Sequence, residues 1–249
     1  MPYFEFEGKQ IYYDEKGEGK PVIFLHGNVA SSKMFEFILS LYRQFRVITM
    51  DFLGYGMSDR MDQLPADLWI WQSKQVISLI QHLNVEKVCL VGTSGGAWVA
   101  INTALERPDL VERVVADSFD GRESLDAAFS DNLRRERQAM KDNENAWWFY
   151  SWCQGQDWEE VLEKDTQALL ACAEQGLSLF THPISELRVP LLLTGSRQDE
   201  MAASLEDAWE AIRQQVPQVQ TCLLDEGEHP SIITNAAECA RVIGAFLQD

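Results

Sequence analysis

Residues 87–104 read KVCLVGTSGGAWVAINTA, an apolar run followed by a cluster of small residues and then by a stretch of helical period. The continuous apolar character of residues 87–92 is typical of a strand that is buried on both faces. After the small residues, a face suited to close packing on a sheet recurs at helical spacing. It consists of Ala97, Ala100, Ile101 and Ala104. The stretch therefore predicts a strand, a tight turn and a helix in direct succession.

The turn itself, Gly92-Thr93-Ser94-Gly95-Gly96, matches the pattern G-x-S-x-G. A sharp strand-to-helix turn forces the serine backbone into a strained conformation and points its Oγ out of the sheet. Gly92 and Gly96 are expected where a side chain would collide with neighbouring backbone. Ser94 is therefore the candidate nucleophile, and the alternative is a tight turn that carries an idle serine.

Apolar runs alternate with helical stretches on both sides of this turn. The chain opens with a predicted hairpin formed by residues 3–6 and 10–14. Further runs typical of strands occupy residues 21–27, 46–52, 112–119, 189–195 and 219–227. Such alternation indicates βαβ units. We expect an α/β fold with a mostly parallel, twisted sheet of eight strands flanked by helices. Ser31 and Ser32 are expected to cap a helix that extends to Tyr42.

Between the fourth core run and the next one, the pattern changes. The segment from about residue 121 to 182 is charged and helical, with no run typical of a strand. We predict a core of residues 1–119 and 184–249, interrupted by a small helical cap at residues 120–183. The cap carries five clustered aromatic residues, Trp147, Trp148, Phe149, Tyr150 and Trp152. They either roof an apolar pocket or pack the cap against the core.

A serine hydroxyl needs a base to become a good nucleophile. His229 follows the last predicted strand, in the loop GEHP, and so lies at the same carboxyl edge of the sheet as Ser94. We predict that it is the general base. The other three histidines are interpreted as structural. His26 ends a predicted strand, His82 lies within a predicted helix, and His182 adjoins Pro183.

The base requires an orienting acid on another loop at that edge. Asp199, in GSRQDE after the run 189–195, is the first candidate. Glu200 is its immediate competitor, and Asp117 and Asp120 are further competitors because they follow the preceding strand. For the developing oxyanion we expect two backbone N–H donors, those of Gly95 and Asn28.

Composition limits the partners. The formal net charge of −18 would repel nucleic acid and anionic membranes. Five cysteines without a CxxC pair argue against a disulfide framework or zinc site, and the N-terminus is not typical of a signal peptide. We expect a cytoplasmic monomer or homodimer that acts on a small-molecule acyl substrate with no cofactor and no metal.

Four segments, in order, resemble the α/β-hydrolase family, in particular its serine carboxylesterases. They are the loop His26-Gly27-Asn28, the stretch DFLGYGMS at residues 51–58, the turn at Ser94, and the late acid and histidine. The order Ser, Asp, His is also that of the family. The resemblance implies cleavage of a small or medium carboxylic ester through an acyl-enzyme.

Two departures from the family pattern leave alternatives open. Asp199 lies four residues after Gly195, whereas the family's acid often lies three after that glycine, so Glu200 stays a rival. The loop HGN resembles that of haloalkane dehalogenases, but those enzymes and the epoxide hydrolases carry Asp where this chain has Ser94. Other activities compatible with the same triad are those of a perhydrolase, a thioesterase or a C–C bond hydrolase. A ligand receptor on a hydrolase scaffold is the alternative from another class.

Overall fold

A computed structural model describes residues 2–202 and 204–248. Its eight-stranded sheet has the order β1-β2-β4-β3-β5-β6-β7-β8. The strands are β1 (Tyr3–Phe6), β2 (Lys9–Lys16), β3 (Pro21–Leu25), β4 (Arg46–Met50), β5 (Val88–Thr93), β6 (Val111–Asp117), β7 (Leu191–Ser196) and β8 (Gln220–Leu224). Pairing is antiparallel between β1 and β2 and between β2 and β4, and parallel elsewhere. The predicted α/β fold and its eight strands are confirmed.

Helices cover both faces of the sheet. They are α1 (Leu68–Leu83), α2 (Gly95–Glu106), α3 (Ala127–Lys141), α4 (Glu144–Gln154), α5 (Trp158–Gln175), α6 (Leu205–Gln215), α7 (Ser231–Thr234) and α8 (Ala236–Gln248). Successive strand residues point to opposite faces, so Ile23 and Leu90 pack in the core that contains α1 and α2. Val22 and Cys89 pack in a second core, which contains α8. Among the described residues, no helix has the length and apolar character needed to cross a lipid bilayer.

The helix expected from Ser31 to Tyr42 is wrong in type. Two short 3₁₀ helices, Ser32–Phe37 and Leu39–Leu41, occupy this stretch. Ser31 does not cap the first of them with its side chain. Its hydroxyl instead donates to the carbonyl of Cys153, at 3.1 Å. A tertiary contact therefore takes the group that the local pattern assigned to a helix start.

Residues 120–183, which we call the cap segment, lie between β6 and β7 and carry α3, α4 and α5. The two ends of this segment meet. Ser124 and Ser178 form an isolated antiparallel bridge, and Leu179 N–H donates to the Glu123 carbonyl at 2.9 Å. Asn102 of α2 donates to the Leu179 carbonyl at 2.8 Å. The division into core and cap domains stays a prediction, and its outer bounds, residues 1 and 249, lie outside the described residues.

Candidate active site

Ser94 lies between the last residue of β5 and the first residue of α2. Its backbone angles, φ 53° and ψ −128°, fall in a region that non-glycine residues rarely adopt. Two backbone bonds hold it there. Ser94 N–H donates to the Asp117 carbonyl at 2.9 Å, and the Ser94 carbonyl accepts from Ala97 N–H at 2.8 Å. The strained backbone that the turn sequence predicts is therefore present.

The glycines around Ser94 are required by close backbone packing. A Cβ on Gly92 would lie 2.0 Å from the carbonyl oxygen of Gly96. A Cβ on Gly96 would lie 2.3 Å from the carbonyl oxygen of Leu25, at the end of β3. Both contacts are with backbone atoms, which cannot move aside as the end of a flexible side chain can. A side chain at either position would therefore force the neighbouring backbone to shift.

His229 and Asp199 are hydrogen-bonded. His229 Nδ1 lies 3.0 Å from both carboxylate oxygens of Asp199. Asp199 Oδ1 also accepts from the backbone N–H groups of Met201 and Ala202, at 3.0 and 3.1 Å. These bonds fix the carboxylate, and the carboxylate fixes the imidazole. With Nδ1 donating to Asp199, Nε2 is the ring nitrogen left to accept a proton.

The competing acids serve other groups. Glu200 accepts from the backbone N–H of His229, at 3.0 Å, rather than from its ring. Asp117 is fully buried and accepts from Thr93, Thr194 and Ile232 N–H. Asp120 pairs with Arg122. Asp199 is thus the acid that contacts the imidazole in the part of the chain that the structure describes.

Opposing effects set the pKa values of the pair. Burial alone would lower the pKa of His229, but its hydrogen bond to Asp199 and the charge of that residue outweigh burial, with smaller contributions from Asp117 and Glu200. The pKa of His229 is therefore raised from 6.5. Burial would raise the pKa of Asp199, but contacts with His229 and hydrogen bonds from Ser118 and Met201 hold it below 3.8.

Ser94 and His229 line the same space, and among the described residues no hydrogen bond joins their reactive atoms. Both border each of the two cavities described below. The hydrogen bonds of residues 2–202 and 204–248 do not include one between Ser94 Oγ and the His229 ring. Catalytic hydrogen bonds are often long in unliganded enzymes and tighten when substrate binds. The structure thus brings the serine and the histidine to one site and leaves the last contact open.

Two backbone donors adjoin Ser94. Within the described residues, neither Gly95 N–H nor Asn28 N–H takes part in a hydrogen bond. The loop that carries Asn28 runs against the serine, since a Cβ on Gly27 would lie 2.9 Å from Ser94 Cβ. This arrangement leaves two N–H groups available to an oxygen that would be bound next to Ser94 Oγ.

Two cavities share Asn28, Ser94, Arg137, Met201 and His229. The larger, of about 400 Å³, is mainly apolar and is further lined by Met34, Phe37, Met140, Phe149, Tyr150 and Ile233. The smaller, of about 120 Å³, also contains charged groups, including Asp120, Arg122 and Glu136. A substrate at Ser94 would thus border both an apolar cavity and a more polar one.

The five clustered aromatic residues of the cap segment do not all line the larger cavity. Phe149 and Tyr150 line the larger cavity. Trp147 and Trp148 are 53% and 54% exposed and line neither cavity. Trp152 stacks on Trp148 at a ring-centroid distance of 5.7 Å. Only part of the cluster therefore roofs the cavity.

Sequence reasoning missed the polar residues that the cap segment buries against the site. Asp165 has no exposed surface and Arg137 is almost fully buried, and the two are paired at 2.7 Å. The signal was present in α5, where Asp165 is the one charged residue of a buried face that also contains Trp158, Val161, Leu162, Thr166, Ala168, Leu169 and Cys172. A single carboxylate on an apolar face indicates a buried, paired charge.

Comparison with known proteins gives consistent matches. A family model described as "Alpha/beta hydrolase family" matches residues 22–242. A curated relative, the sn-1-specific diacylglycerol lipase ABHD11 of Danio rerio, is 35% identical over 133 residues, which are 52% of this chain and 40% of that protein. Haloalkane dehalogenase 2 of Mycobacterium bovis is 30% identical over 115 residues, 45% of this chain and 40% of its own length. The matched part thus spans less than half of these curated relatives.

A solved structure matches over nearly the whole chain. The esterase EaEST from Exiguobacterium antarcticum superposes with a TM-score of 0.76 and 18% identity. The superposition covers 98% of this chain and 97% of that one. At this level of identity the similarity concerns the fold.

Proposed function

Because this chain belongs to the alpha/beta hydrolase family, we propose that it is a serine hydrolase that cleaves a small or medium carboxylic ester through an acyl-enzyme on Ser94. The observation that carries the proposal is the hydrogen bond of Asp199 to Nδ1 of His229, a residue that lines the same cavity as the strained Ser94. This bond leaves Nε2 of His229 free to act as a base toward Ser94.

In the first half of the proposed reaction, His229 Nε2 takes the proton of Ser94 as Oγ attacks the ester carbonyl. The carbonyl oxygen becomes an oxyanion, which accepts hydrogen bonds from the N–H groups of Asn28 and Gly95. Collapse of this intermediate breaks the C–O bond to the leaving alkoxide. His229 donates its proton to that alkoxide, and Ser94 keeps the acyl group.

In the second half, water replaces the alcohol. His229 removes a proton from the water as its oxygen attacks the acyl carbon, and the same two N–H groups hold the second oxyanion. Collapse releases the carboxylic acid and returns the proton to Ser94 Oγ. Asp199 stays ionised throughout and stabilises the imidazolium that forms twice in each cycle.

The choice of reaction rests on the serine and on the cavity. Haloalkane dehalogenases, although among the relatives, carry Asp where this chain has Ser94. A serine acyl-enzyme fits esters, and the apolar cavity of about 400 Å³ suits the apolar part of a small or medium ester. The expected partner remains a small-molecule acyl substrate. Cytoplasmic location and a monomeric or homodimeric state stay predictions.

A labelling experiment tests the nucleophile. Wild-type protein is treated with a fluorophosphonate, digested and mapped by mass spectrometry, with Ser94→Ala as the matched control. We expect an adduct on the peptide that contains Ser94 and none in the variant. Labelling of another residue, or equal labelling of the variant, would contradict the assignment.

A substrate panel tests the reaction. Initial rates are measured for p-nitrophenyl esters of increasing acyl length, together with a thioester, a peracid-forming reaction and a diketone. We expect esters to give the highest kcat/KM and His229→Ala to lose at least about 10³-fold in rate. Preferred cleavage of the thioester or diketone would select one of the alternative activities. Tight binding of an ester with no turnover would favour a receptor.

A further inference from the structure

A carboxylate of the cap segment is buried against the loop that carries Asn28. Asp165, in the middle of α5, has no exposed surface. Its Oδ2 accepts from Asn28 Nδ2 at 2.8 Å and from the Tyr55 hydroxyl at 2.7 Å. Its Oδ1 accepts from Arg137 Nη2, also at 2.7 Å. One side chain of the cap segment thus joins three separate parts of the molecule.

The Asn28 side chain is held at both of its polar ends. While Nδ2 donates to Asp165, Oδ1 accepts from Trp69 Nε1 at 3.1 Å. The amide lies directly on the turn, because a Cβ on Gly95 would be only 2.0 Å from Asn28 Oδ1. Rotation of the amide by 180° would place its oxygen against the carboxylate and its NH₂ against the indole N–H. Only one orientation of this side chain therefore satisfies both partners.

The backbone that follows Asn28 needs such support. Val29 has φ 59°, a left-handed conformation that is unfavourable for a β-branched residue. Strain of this kind persists only where the surrounding structure holds it. On one side of the Asn28 backbone, the Val29 carbonyl accepts from Gln154 Nε2 at 2.6 Å. On the other side, the Asn28 side chain is held by Asp165 and Trp69.

We propose that Asp165 is a positioning residue for the reaction: by holding the Asn28 side chain, it fixes the direction of the Asn28 N–H toward the oxyanion. Asp165 itself does not touch the reacting atoms. The inference rests on the proposed function, since it assumes that the Asn28 N–H acts on an oxyanion formed at Ser94. The cap segment is then part of the machinery that stabilises the transition state.

Attachment of the cap segment is a separate matter, because other bonds attach it without touching Asn28. Arg60 Nε donates to Asp157 at 2.7 Å, and Lys33 Nζ donates to the Trp152 carbonyl at 2.7 Å. Loss of Asp165 leaves both of these bonds in place. The effect of Asp165 on the reaction can therefore be separated from undocking of the segment.

The first test compares Asp165→Leu, which replaces the carboxylate by an apolar side chain without an acceptor, with Tyr55→Phe. The Tyr55 variant removes one donor to Asp165 and leaves the bond to Asn28. We expect kcat for the best p-nitrophenyl ester to fall at least about tenfold in Asp165→Leu, with KM within about threefold, because a misplaced oxyanion donor weakens transition-state binding. In Tyr55→Phe, kcat should stay within about twofold. Rates are divided by the active fraction from fluorophosphonate titration, below the Tm of each variant. Wild-type kcat in Asp165→Leu, or equal losses in the two variants, would overturn the proposal.

A double-mutant cycle with Asn28→Ala tests the route of the effect. This variant keeps the backbone N–H but removes the side chain on which Asp165 acts. If Asp165 works through Asn28, adding Asp165→Leu to Asn28→Ala should cost less than about threefold in kcat. Losses that multiply independently would overturn the proposal.

The Asn28→Ala variant also serves if Asp165→Leu does not fold. Asn28→Ala should then lose at least about tenfold in kcat on its own, with KM little changed, and wild-type kcat would overturn the proposal. Failure of the proposed function is a distinct result. It would appear as a wild-type protein without ester turnover or without an adduct at Ser94, whereas failure of this inference leaves the wild type active and labelled at Ser94.

Discussion

At the scale of single residues, two buried carboxylates near His229 have opposite pKa shifts. The pKa of Asp199 is lowered, because hydrogen bonds and the imidazole outweigh its burial. Burial raises the pKa of Asp117 to about 6, against hydrogen bonds from Ile232, Thr194 and Thr93 that lower it. The first residue is thus built to stay ionised beside the base, while the second is a fully buried acid that is easily protonated.

The first prediction concerns Asp199. The base must be neutral, so kcat/KM should rise with pH through the pKa of His229, which lies above 6.5 in the wild type. In Asp199→Asn the attraction is lost while burial remains, so this limb should move to lower pH and the maximal rate should fall about 10³- to 10⁴-fold. The measurement is a pH–rate profile from pH 5 to 9.

Glu200→Gln is the matched control for that profile. Glu200 accepts from the backbone N–H of His229 rather than from its ring, and it is a minor contributor to the pKa of that ring. We expect a loss of less than about tenfold and a smaller displacement of the limb. The reverse ranking of the two variants would make Glu200 the orienting acid, the rival that the sequence left open.

The second prediction concerns Asp117. Its pKa is raised in the folded protein, so the folded state binds more protons than the unfolded state between pH 3.8 and about 6. The stability contributed by its protonated form is present below pH 3.8 and is lost as pH rises to about 6, by an amount on the order of 3 kcal/mol. Asp117→Asn does not titrate. Its unfolding free energy relative to wild type should increase by about that amount between pH 4 and 7, measured by denaturant unfolding, and a constant difference would contradict the assigned shift.

At the scale of single elements, the strand–turn–helix unit was predictable because its constraints are local. The apolar run, the glycines and the serine follow one another in sequence, and their geometry depends on the backbone of the same few residues. The stretch after Ser31 was not predictable in this way. The hydroxyl that would have capped a helix binds Cys153, which is 122 positions away, and no local pattern contains that partner.

The third prediction tests the packing of this unit. In Gly96→Ala the new Cβ would lie 2.3 Å from the Leu25 carbonyl oxygen, so the helix and β3 must separate. We expect a loss of about 3 kcal/mol in unfolding free energy, or about 6–12 °C in Tm. Gly244→Ala in α8 is the control, because its Cβ meets only the mobile end of Gln44, at 3.2 Å. Thermal unfolding should give this control an unchanged or higher Tm, and an unchanged Tm in Gly96→Ala would show that the turn has room for a side chain.

At the scale of the whole molecule, the cap segment and the core share polar bonds that link residues far apart in sequence. Gln154 Nε2 donates to the carbonyls of Val29 and Ala30, at 2.6 and 2.7 Å. Gln154 Oε1 accepts from Gly56 N–H at 2.7 Å. The proposed triad of Ser94, Asp199 and His229 could be predicted from sequence because parallel strands place their loops at one edge. The partners of Gln154 and Asp165 could not, because no sequence rule states which core loop a cap helix will meet.

The fourth prediction measures this link. Gln154→Leu leaves three backbone polar groups without their partner, and each buried group of this kind costs about 1–3 kcal/mol. We expect a loss of about 3 kcal/mol or more in unfolding free energy. Gln167→Leu is the matched control, since that side chain is exposed and its hydrogen bond goes to Glu163 of the same helix, and it should stay within about 0.5 kcal/mol. Chemical denaturation of both variants checks the difference, and a stable Gln154→Leu would contradict the proposed link.

The paired ends of the cap segment, joined at Ser124 and Ser178 and tied to Asn102, have a consequence for how this architecture can change. The chain leaves the sheet after β6 and returns to it before β7 through these paired ends, so α3, α4 and α5 form one insertion whose two ends lie side by side. A different helical insertion with the same paired ends could replace it while the turn at Ser94 keeps its shape. The new insertion would, however, have to supply its own counterparts of Gln154 and Asp165. A change of substrate specificity by grafting such an insertion is thus limited less by joining its ends to the core than by restoring the hydrogen bonds to the loop that carries Asn28.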